Sequence, residues 1–512
     1  MKQTRQLPGL KHLMGRRLFI ILLVLGQIAL FVFAIFRYSG VRWLTNGLTL
    51  ISIVTALHLM ARHDKSAIKL SLVFLILLFP LFGGAFYWIL HFQTADVGFR
   101  KRFWRIEERS RHAARYREAH TREICQALPE GQQLIRYLSH APGFPAYGKT
   151  KTLYFPTGSE MLSAMLSDIE RARRYIFLEY FILEEGIMWD SVLELLRKKV
   201  REGVDVRMIY DDFGCFLTLP PGYDKKLESY GIKCQVFNKV LPFVTSSHNN
   251  RDHRKILVVD GEVAYTGGMN LADEYINEKI KYGHWKDNAI RLWGDGAWSF
   301  TVMFLHMWSL LTRQEEKLED YRPTTESPNT DDGWVQPYSD SPIDRENVGE
   351  HVYSHIIAQA QNYLYITTPY LMVEDGMISA LGLSAKSGVD VRIITPSCPD
   401  KKLVHFTTRS YYRQLIRAGV RIYEYADGFM HAKSFLADDT VATVGTTNLD
   451  FRSLYFHFEC GTCLYRTSSI ADLKQDYLDT LQRCREITEA DCKTNLFIKL
   501  CQDVCRIFAP LM

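Results

Sequence analysis

The sequence has little cysteine and little net charge. Ten cysteines among 512 residues are too few for a disulfide scaffold. Cys460 and Cys463 have CxxC spacing, but zinc wants a second pair of Cys or His ligands. The run from Phe458 to Leu464 reads as a strand, so these thiols are expected to be buried and structural. Cys501 and Cys505, four apart as on one helical face, take the same reading. Lys and Arg exceed Asp and Glu by 62 to 57, a net +5. So small an excess does not mark a nucleic-acid binder. The first apolar stretch also lacks a small-residue cleavage site, since Phe36 is followed by Arg37 and Tyr38. That argues for a retained anchor over a removed leader.

What is present is apolar residue, at 47%, and a length that suggests two or three domains. Residues 1–94 read as a membrane region with two or three hydrophobic segments, at about 18–36, 41–61 and 68–92. The first has the length of a membrane-spanning helix. The third carries Pro80 and Gly83-Gly84 in its middle, so it is a kinked span or a re-entrant hairpin. The expected location is the cell membrane, multi-pass. Residues 95–150 form a basic juxtamembrane connector. Within it, residues 100–122 hold nine Lys or Arg against three Glu, with Phe103, Trp104 and Tyr116 interleaved. A surface helix touching anionic lipid headgroups is one reading, and a solvated connecting helix is the other.

The remainder repeats itself. Gly203-Val204-Asp205-Val206-Arg207 recurs as Gly388-Val389-Asp390-Val391-Arg392. An apolar strand precedes each copy (175–180 and 363–368), and a strand led by Gly231 or Gly419 follows. Helical periodicity at 189–201 and 409–417 lies among these strands. The expected fold class is α/β: two lobes, each a mixed sheet flanked by helices, related by a pseudo-twofold duplication. The first lobe is placed at 151–315 and the second, with C-terminal helices, at 346–512. Residues 316–345, rich in Pro, Ser, Thr and Asp and without a period, read as the linker.

Each half ends in the same chemical pattern, His253-x-Lys255-x4-Asp260 and His431-x-Lys433-x4-Asp438. Read as strands, these put His and Lys on one face. Asp260-Gly261 and Asp438-Asp439 mark hairpin turns, and the seven-residue spacing puts each Asp off the face of its His. The return strands lead to Gly267-Gly268 with Asn270, and to Gly445-Thr446 with Asn448. A Lys gives a phosphoryl oxygen a point charge, and a His can be nucleophile or proton donor. Two such halves facing each other suit in-line displacement at phosphorus. With two Lys to neutralise charge, neither metal nor cofactor is required.

These paired motifs resemble the phospholipase D superfamily over nearly all of the chain. The run from His248 to Lys255, Gly267 to Leu271, His284-Trp285-Lys286-Asp287, Thr368-Pro369-Tyr370, Gly428 to Lys433, and Asn448 to Ser453 are similar to bacterial cardiolipin synthases. The resemblance implies transfer of a phosphatidyl group between two phosphatidylglycerol molecules, giving cardiolipin and glycerol through a phosphohistidine. It implies catalytic roles for His253, Lys255, Asp260, His431, Lys433 and Asp438, with His253 taken as nucleophile and His431 as acid and base, the reverse assignment being the alternative. Asn270 and Asn448 would help cradle the phosphate, beside the small residues Gly267, Gly268, Gly445 and Thr446. Glu459 matches a family Glu and would hydrogen-bond a catalytic His, a strand-edge carboxylate being the alternative. The implied partners are phosphatidylglycerol and anionic membrane lipids, not nucleic acid. A hydrolase or a transferase with another alcohol acceptor is the alternative function. The chain departs from the family in Gly445-Thr446 where Gly-Ser is usual, and in His457 and the Cys-Gly-Thr-Cys run.

Overall fold

In the computed structural model of the chain, the described residues are 40–512 except 82, 94–96, 115–117, 241–248, 329, 331 and 345, together with 26, 29, 33 and 37. The expected first membrane segment, 18–36, lies almost wholly outside them, as do Tyr116 and His248.

The second apolar stretch forms a helix, Arg42–Ala61, the one described helix long and apolar enough to cross a membrane. The third stretch is two helices, Ser66–Leu78 and Gly83–Gln93. At about 1.5 Å per residue neither crosses a hydrocarbon core alone, so a straight third span is excluded. Pro80 causes the break by withholding an N–H. The groups left open find Ser52 of the first helix: its Oγ donates to Pro80 O at 2.7 Å and accepts from Gly84 N at 3.0 Å. Gly84 allows the approach, since a Cβ there would lie 2.6 Å from Ser52 Cα.

The basic connector contains the helices Val97–Ala114, Glu118–Ala127 and Gln132–His140. Phe103 and Ile106 are buried against the helix Ala297–Thr312, so Phe103 does not face lipid. Trp104 is exposed. The two later helices bury Ile124, Leu134 and Leu138 in the core of the second half.

The first half supplies strands β1 (Thr150–Phe155), β2 (Tyr175–Tyr180), β3 (Asp205–Asp211), β4 (Lys233–Phe237), the two-residue β5 (Arg251–Asp252), β6 (Ile256–Val259), β7 (Val263–Gly267), β8 (His284–Lys286) and β9 (Ala289–Gly294). The second supplies β10 (Trp334–Asp340), β11 (Tyr363–Thr367), β12 (Asp390–Pro396), β13 (Arg421–Tyr425), β14 (Gly428–Met430), β15 (Ser434–Ala437), β16 (Val441–Gly445), β17 (His457–Tyr465) and β18 (Cys484–Ile487). One sheet runs β1-β9-β7-β6-β2-β3-β4 and the other β10-β17-β16-β15-β11-β12-β13-β18. The orders match strand for strand, with β18 added. β2, β3 and β4 are parallel to one another, as are β11, β12 and β13, and the remaining pairings along these two orders are antiparallel.

The strands are apolar on both faces because each sheet serves two cores. In β2, Ile176 and Leu178 face helices Gly158–Arg171 and Ile187–Arg201, while Tyr175 and Phe177 face a second cluster. That second cluster also takes Tyr365, Leu436 and Val444 from the other sheet and Phe300 and Phe304 from the helix Ala297–Thr312. It joins the two sheets. Alternation along a strand thus becomes a division of labour between faces.

The stretch read as a linker, 316–345, is not structureless. Trp334–Asp340 is β10, paired with β17 along seven residues. Its composition hid it: Pro337 is tolerated because β10 is the sheet's edge and one side of the strand needs no ladder donor.

Candidate active site

The His-x-Lys segments are not continuous strands. Arg251–Asp252 pairs with His457–Phe458 of the other half, whereas Ile256–Val259 pairs within its own sheet. His253, Arg254 and Lys255 lie in the step between. The second copy makes the same step: Gly428–Met430 pairs with His284–Lys286 of the first half, and Ser434–Ala437 joins its own sheet. The change of partner breaks the strand. It also seats each histidine on the opposite half, since His253 N donates to Phe458 O at 2.9 Å and His431 N to Lys286 O at 2.7 Å.

Each imidazole is then held by a carboxylate from the other half. Nδ1 of His253 lies 2.9 Å and 3.0 Å from the oxygens of Glu459. Nδ1 of His431 lies 2.6 Å from Asp287 Oδ2. Burial opposes charge on both acids, but His253 and His457 hold Glu459 well below the usual carboxylate range. His431 and Lys433 lower Asp287 as well. An ionised carboxylate only accepts, so the proton sits on Nδ1 of each histidine and the Nε2 lone pair is left for chemistry. Burial pushes His253 down to about 3 and His431 down to about 4. Both are therefore neutral near pH 7 in the resting site.

Lys255 and Lys433 are buried beside them, each donating to the carbonyl of its own histidine. Burial brings Lys255 down to about 8 and Lys433 to about 7. Lys255 also lowers two groups of the other half, His431 and Lys433. An arriving anion would favour the charged form of both lysines, since opposite charge nearby raises an ammonium pKa.

Asp260 and Asp438 are not with them. An extended chain of seven residues reaches about 23 Å, and both carboxylates are engaged at its far end. Asp260 accepts from the backbone N–H of Arg173, Arg174 and Tyr175, each at 2.8 Å. Asp438 accepts from Gln361, Asn362 and Tyr363 at 2.6, 2.8 and 2.9 Å. Both lie at positive φ, +52° and +53°, in tight hairpin turns closed by Glu262 N to Val259 O and Thr440 N to Ala437 O. They pin the hairpin to the start of the neighbouring strand, and the structure gives them no reach to the histidines.

The small residues stand behind the carboxylates. A Cβ on Gly268 would lie 2.0 Å from Asp287 Oδ1, and Thr446 Oγ1 donates to Glu459 Oε2. Gly267 and Gly445 let neighbouring backbone pass, a Cβ meeting Asn288 O at 2.4 Å and Cys460 O at 2.5 Å. Asn270 spans Ile182 N and Tyr275 OH at 2.9 and 2.6 Å. Asn448 Oδ1 is buried without a hydrogen-bond partner among the described residues.

Asp287 stands in the sequence only as the end of His284-Trp285-Lys286-Asp287, with no role assigned to it. Its signal lies in the strand register. Gly267 pairs with Ala289 and Gly445 with Gly461, so Asp287 and Glu459, each two residues earlier, are equivalent. By the same count Trp285 matches His457. Trp285 packs 5.2 Å from the His431 ring and His457 packs 5.6 Å from His253. His253, His457 and Glu459 bring ligand-type atoms within 4.8 Å of one another. Glu459 is already engaged by His253 and Thr446, so the cluster reads as a hydrogen-bonded one. The Cys460 and Cys463 thiols are buried on β17, and burial pushes both up to about 12.

A protein family described as cardiolipin synthase, phospholipase D-like domain, matches residues 165–283 and 353–482. An uncharacterised protein of Streptococcus mutans is 44% identical over 85% of this chain and 95% of its own. A cardiolipin synthase of Alkalihalophilus pseudofirmus is 35% identical over 74% of this chain and 76% of its own. One of Halalkalibacterium halodurans is 30% identical over 91% and 92%. Among solved structures, the phosphatidylserine synthase of Haemophilus influenzae superposes with a TM-score of 0.54 at 15% identity, covering 70% of this chain and 93% of that one. That likeness speaks for the fold.

Proposed function

The chain belongs to the bacterial cardiolipin synthases of the phospholipase D superfamily, and we propose the following course for its phosphatidyl transfer between two phosphatidylglycerol molecules. The two sheets are copies of one unit, set about a pseudo-twofold axis so that each completes the other's site. The observation that carries the reading is the exchanged pairing, Glu459 to His253 and Asp287 to His431.

Nε2 of His253 attacks the phosphorus of the first phosphatidylglycerol. The bond from phosphorus to the glycerol oxygen breaks, and His431 gives that oxygen its proton. Glycerol leaves and a phosphatidyl–His253 remains. The free hydroxyl of a second phosphatidylglycerol then loses its proton to His431 and attacks phosphorus. The P–N bond breaks, cardiolipin forms, and His253 is restored. His431 acquires its proton in the complex, because the arriving phosphodiester anion favours the charged imidazole. Lys255 and Lys433 neutralise the phosphoryl oxygens as charge builds. Asp260 and Asp438 hold the hairpins, and Asn448 is the better placed asparagine for a phosphate contact.

The helix Arg42–Ala61 and the broken helical pair Ser66–Leu78 and Gly83–Gln93 lie in the cell membrane in this reading, with 18–36 as a further span. Ser52 at the Pro80 break supports it, since backbone groups in lipid need a protein partner. The test is phosphatidylglycerol alone, given to purified protein in vesicles. Cardiolipin and glycerol in equal amounts are expected. Phosphatidic acid as the sole product would make water the acceptor and overturn the transferase reading.

A further inference from the structure

The helix Leu496–Phe508 near the chain's end has no place in the chemistry and buries none of its residues fully. At about 3.6 residues per turn, Leu496, Leu500, Val504 and Ile507 form one apolar edge with Phe497 and Phe508 beside it. Gln502 and Arg506 fall on the other side, and Lys499 and Asp503 run along the border of the apolar edge. On the polar side Arg506 meets the protein: its Nη2 donates to Gln414 at 2.8 Å and its guanidinium lies 4.3 Å from the Tyr411 ring centre, while Lys499 and Asp503 are exposed. The apolar edge is left open, with Leu496 84%, Phe497 73% and Leu500 59% exposed.

We propose that this edge lies in the lipid bilayer surface, in contact with phospholipid acyl chains. The inference rests on the membrane reading of the N-terminal helices and extends it to the far end of the chain. Its ground is continuity. Ser71 Oγ donates to Ile507 O, and Phe74 packs edge-on to Phe508 at 5.6 Å. The helix is thus laid against Ser66–Leu78, whose own Leu70, Phe74, Leu77 and Leu78 are exposed. Depth agrees as well. The polar turn before Ser66 holds the Arg62–Asp64 pair at 2.8 Å and Lys65, bound to Glu350 at 2.8 Å. Ser71 is five residues further on, about 8 Å of helical rise. An amphipathic helix in a bilayer surface sits about 5–10 Å deep.

The placement bears on the site. Lys65 also lies 5.2 Å from the Tyr455 ring, and Arg452 binds the terminal Met512 carbonyl. Tyr455 and Arg452 belong to the short helix Phe451–Tyr455 that precedes His457 and Glu459. An edge seated in lipid therefore sets the height of the second half, and with it the histidines, above the substrate layer.

The experiment uses the full chain in phosphatidylcholine–phosphatidylglycerol vesicles containing a phosphatidylcholine with a diazirine in its acyl chain. After irradiation, adducts are mapped by mass spectrometry. Adducts in both 42–93 and 496–508 are expected. Adducts in 42–93 but none in 496–508 would overturn this inference alone; none in either would overturn the membrane reading itself. The Leu496→Glu/Phe497→Glu/Leu500→Glu variant provides a second readout. Its rate on long-chain phosphatidylglycerol in vesicles should fall at least tenfold, with its rate on dissolved dihexanoyl phosphatidylglycerol within twofold of the parent. An equal fall on both substrates, or no fall, counts against the proposal.

Discussion

Glu459 accepts from Nδ1 of His253 through both carboxylate oxygens, at 2.9 and 3.0 Å, across the boundary between the two sheets. Thr446 Oγ1 fixes the same carboxylate from behind. The pair sets the tautomer of His253 and so exposes Nε2. Replacing the acid by an amide keeps the shape but removes the charge and turns one of the two acceptors into a donor, so Nδ1 is no longer obliged to be the protonated nitrogen. Glu459→Gln should therefore lower kcat about 100-fold or more, the scale of proton-transfer assistance, with KM changed far less. Steady-state rates on mixed vesicles decide it. A kcat within threefold of the parent would show that the carboxylate does not select the tautomer.

In the proposed course the two histidines differ in what they are asked to do, and a leaving group can tell them apart. A p-nitrophenyl phosphatidyl ester releases an alcohol that needs no proton. With it, the His431→Ala variant should still form the covalent phosphatidyl adduct, on His253, and hold it for lack of a base. His253→Ala should form none. Mass spectrometry of acid-avoided digests locates the adduct. An adduct on His431 in the His253→Ala variant would reverse the roles.

Burial brings Lys433 down to about 7 and Lys255 to about 8. As pH rises through that window the free enzyme loses cations that would meet the phosphate. The bound anion restores their protons, so the loss falls on binding. KM for phosphatidylglycerol should rise several-fold between pH 6 and 9 while kcat moves less. The histidines set the acid side. Their pKa values are depressed in the fold, to about 3 and 4, so below about 6.5 the unfolded chain binds more protons than the folded one. Stability should fall as pH drops from there. A pH-independent KM would remove the lysines from phosphate binding.

Much of this arrangement was legible in the residues. The recurrent Gly-Val-Asp-Val-Arg, the Gly-led strands and the paired His-x-Lys gave the two lobes and the histidines, because each is a local pattern. What escaped was set by pairing between the halves. Asp287 and Glu459 have equal standing, yet only register shows it, since Gly267 and Asp287 are further apart in the chain than Gly445 and Glu459. The break at His253 to Lys255 arises because β5 and β6 pair with different halves, which no strand periodicity records. Pro337 disguised β10 as linker, its tolerance depending on an edge position known only once the sheet is assembled.

Asp260 gives the sharpest contrast between motif membership and chemistry. Its carboxylate accepts three backbone N–H groups at 2.8 Å, and the turn that carries it is closed by its own backbone bond. Asp260→Ala leaves those donors without a partner, and charge-assisted bonds contribute about 1.5–3 kcal/mol each. The variant should lose about 3 kcal/mol or more of stability, read as a lower denaturant midpoint. The donors lie at the start of β2, remote from Nε2 of His253, so the folded fraction should transfer phosphatidyl groups at a rate within about tenfold of the parent, small against the 100-fold scale of proton-transfer assistance. Asp438→Ala should behave alike through Gln361, Asn362 and Tyr363. A stable protein with abolished turnover would instead place these carboxylates in the chemistry.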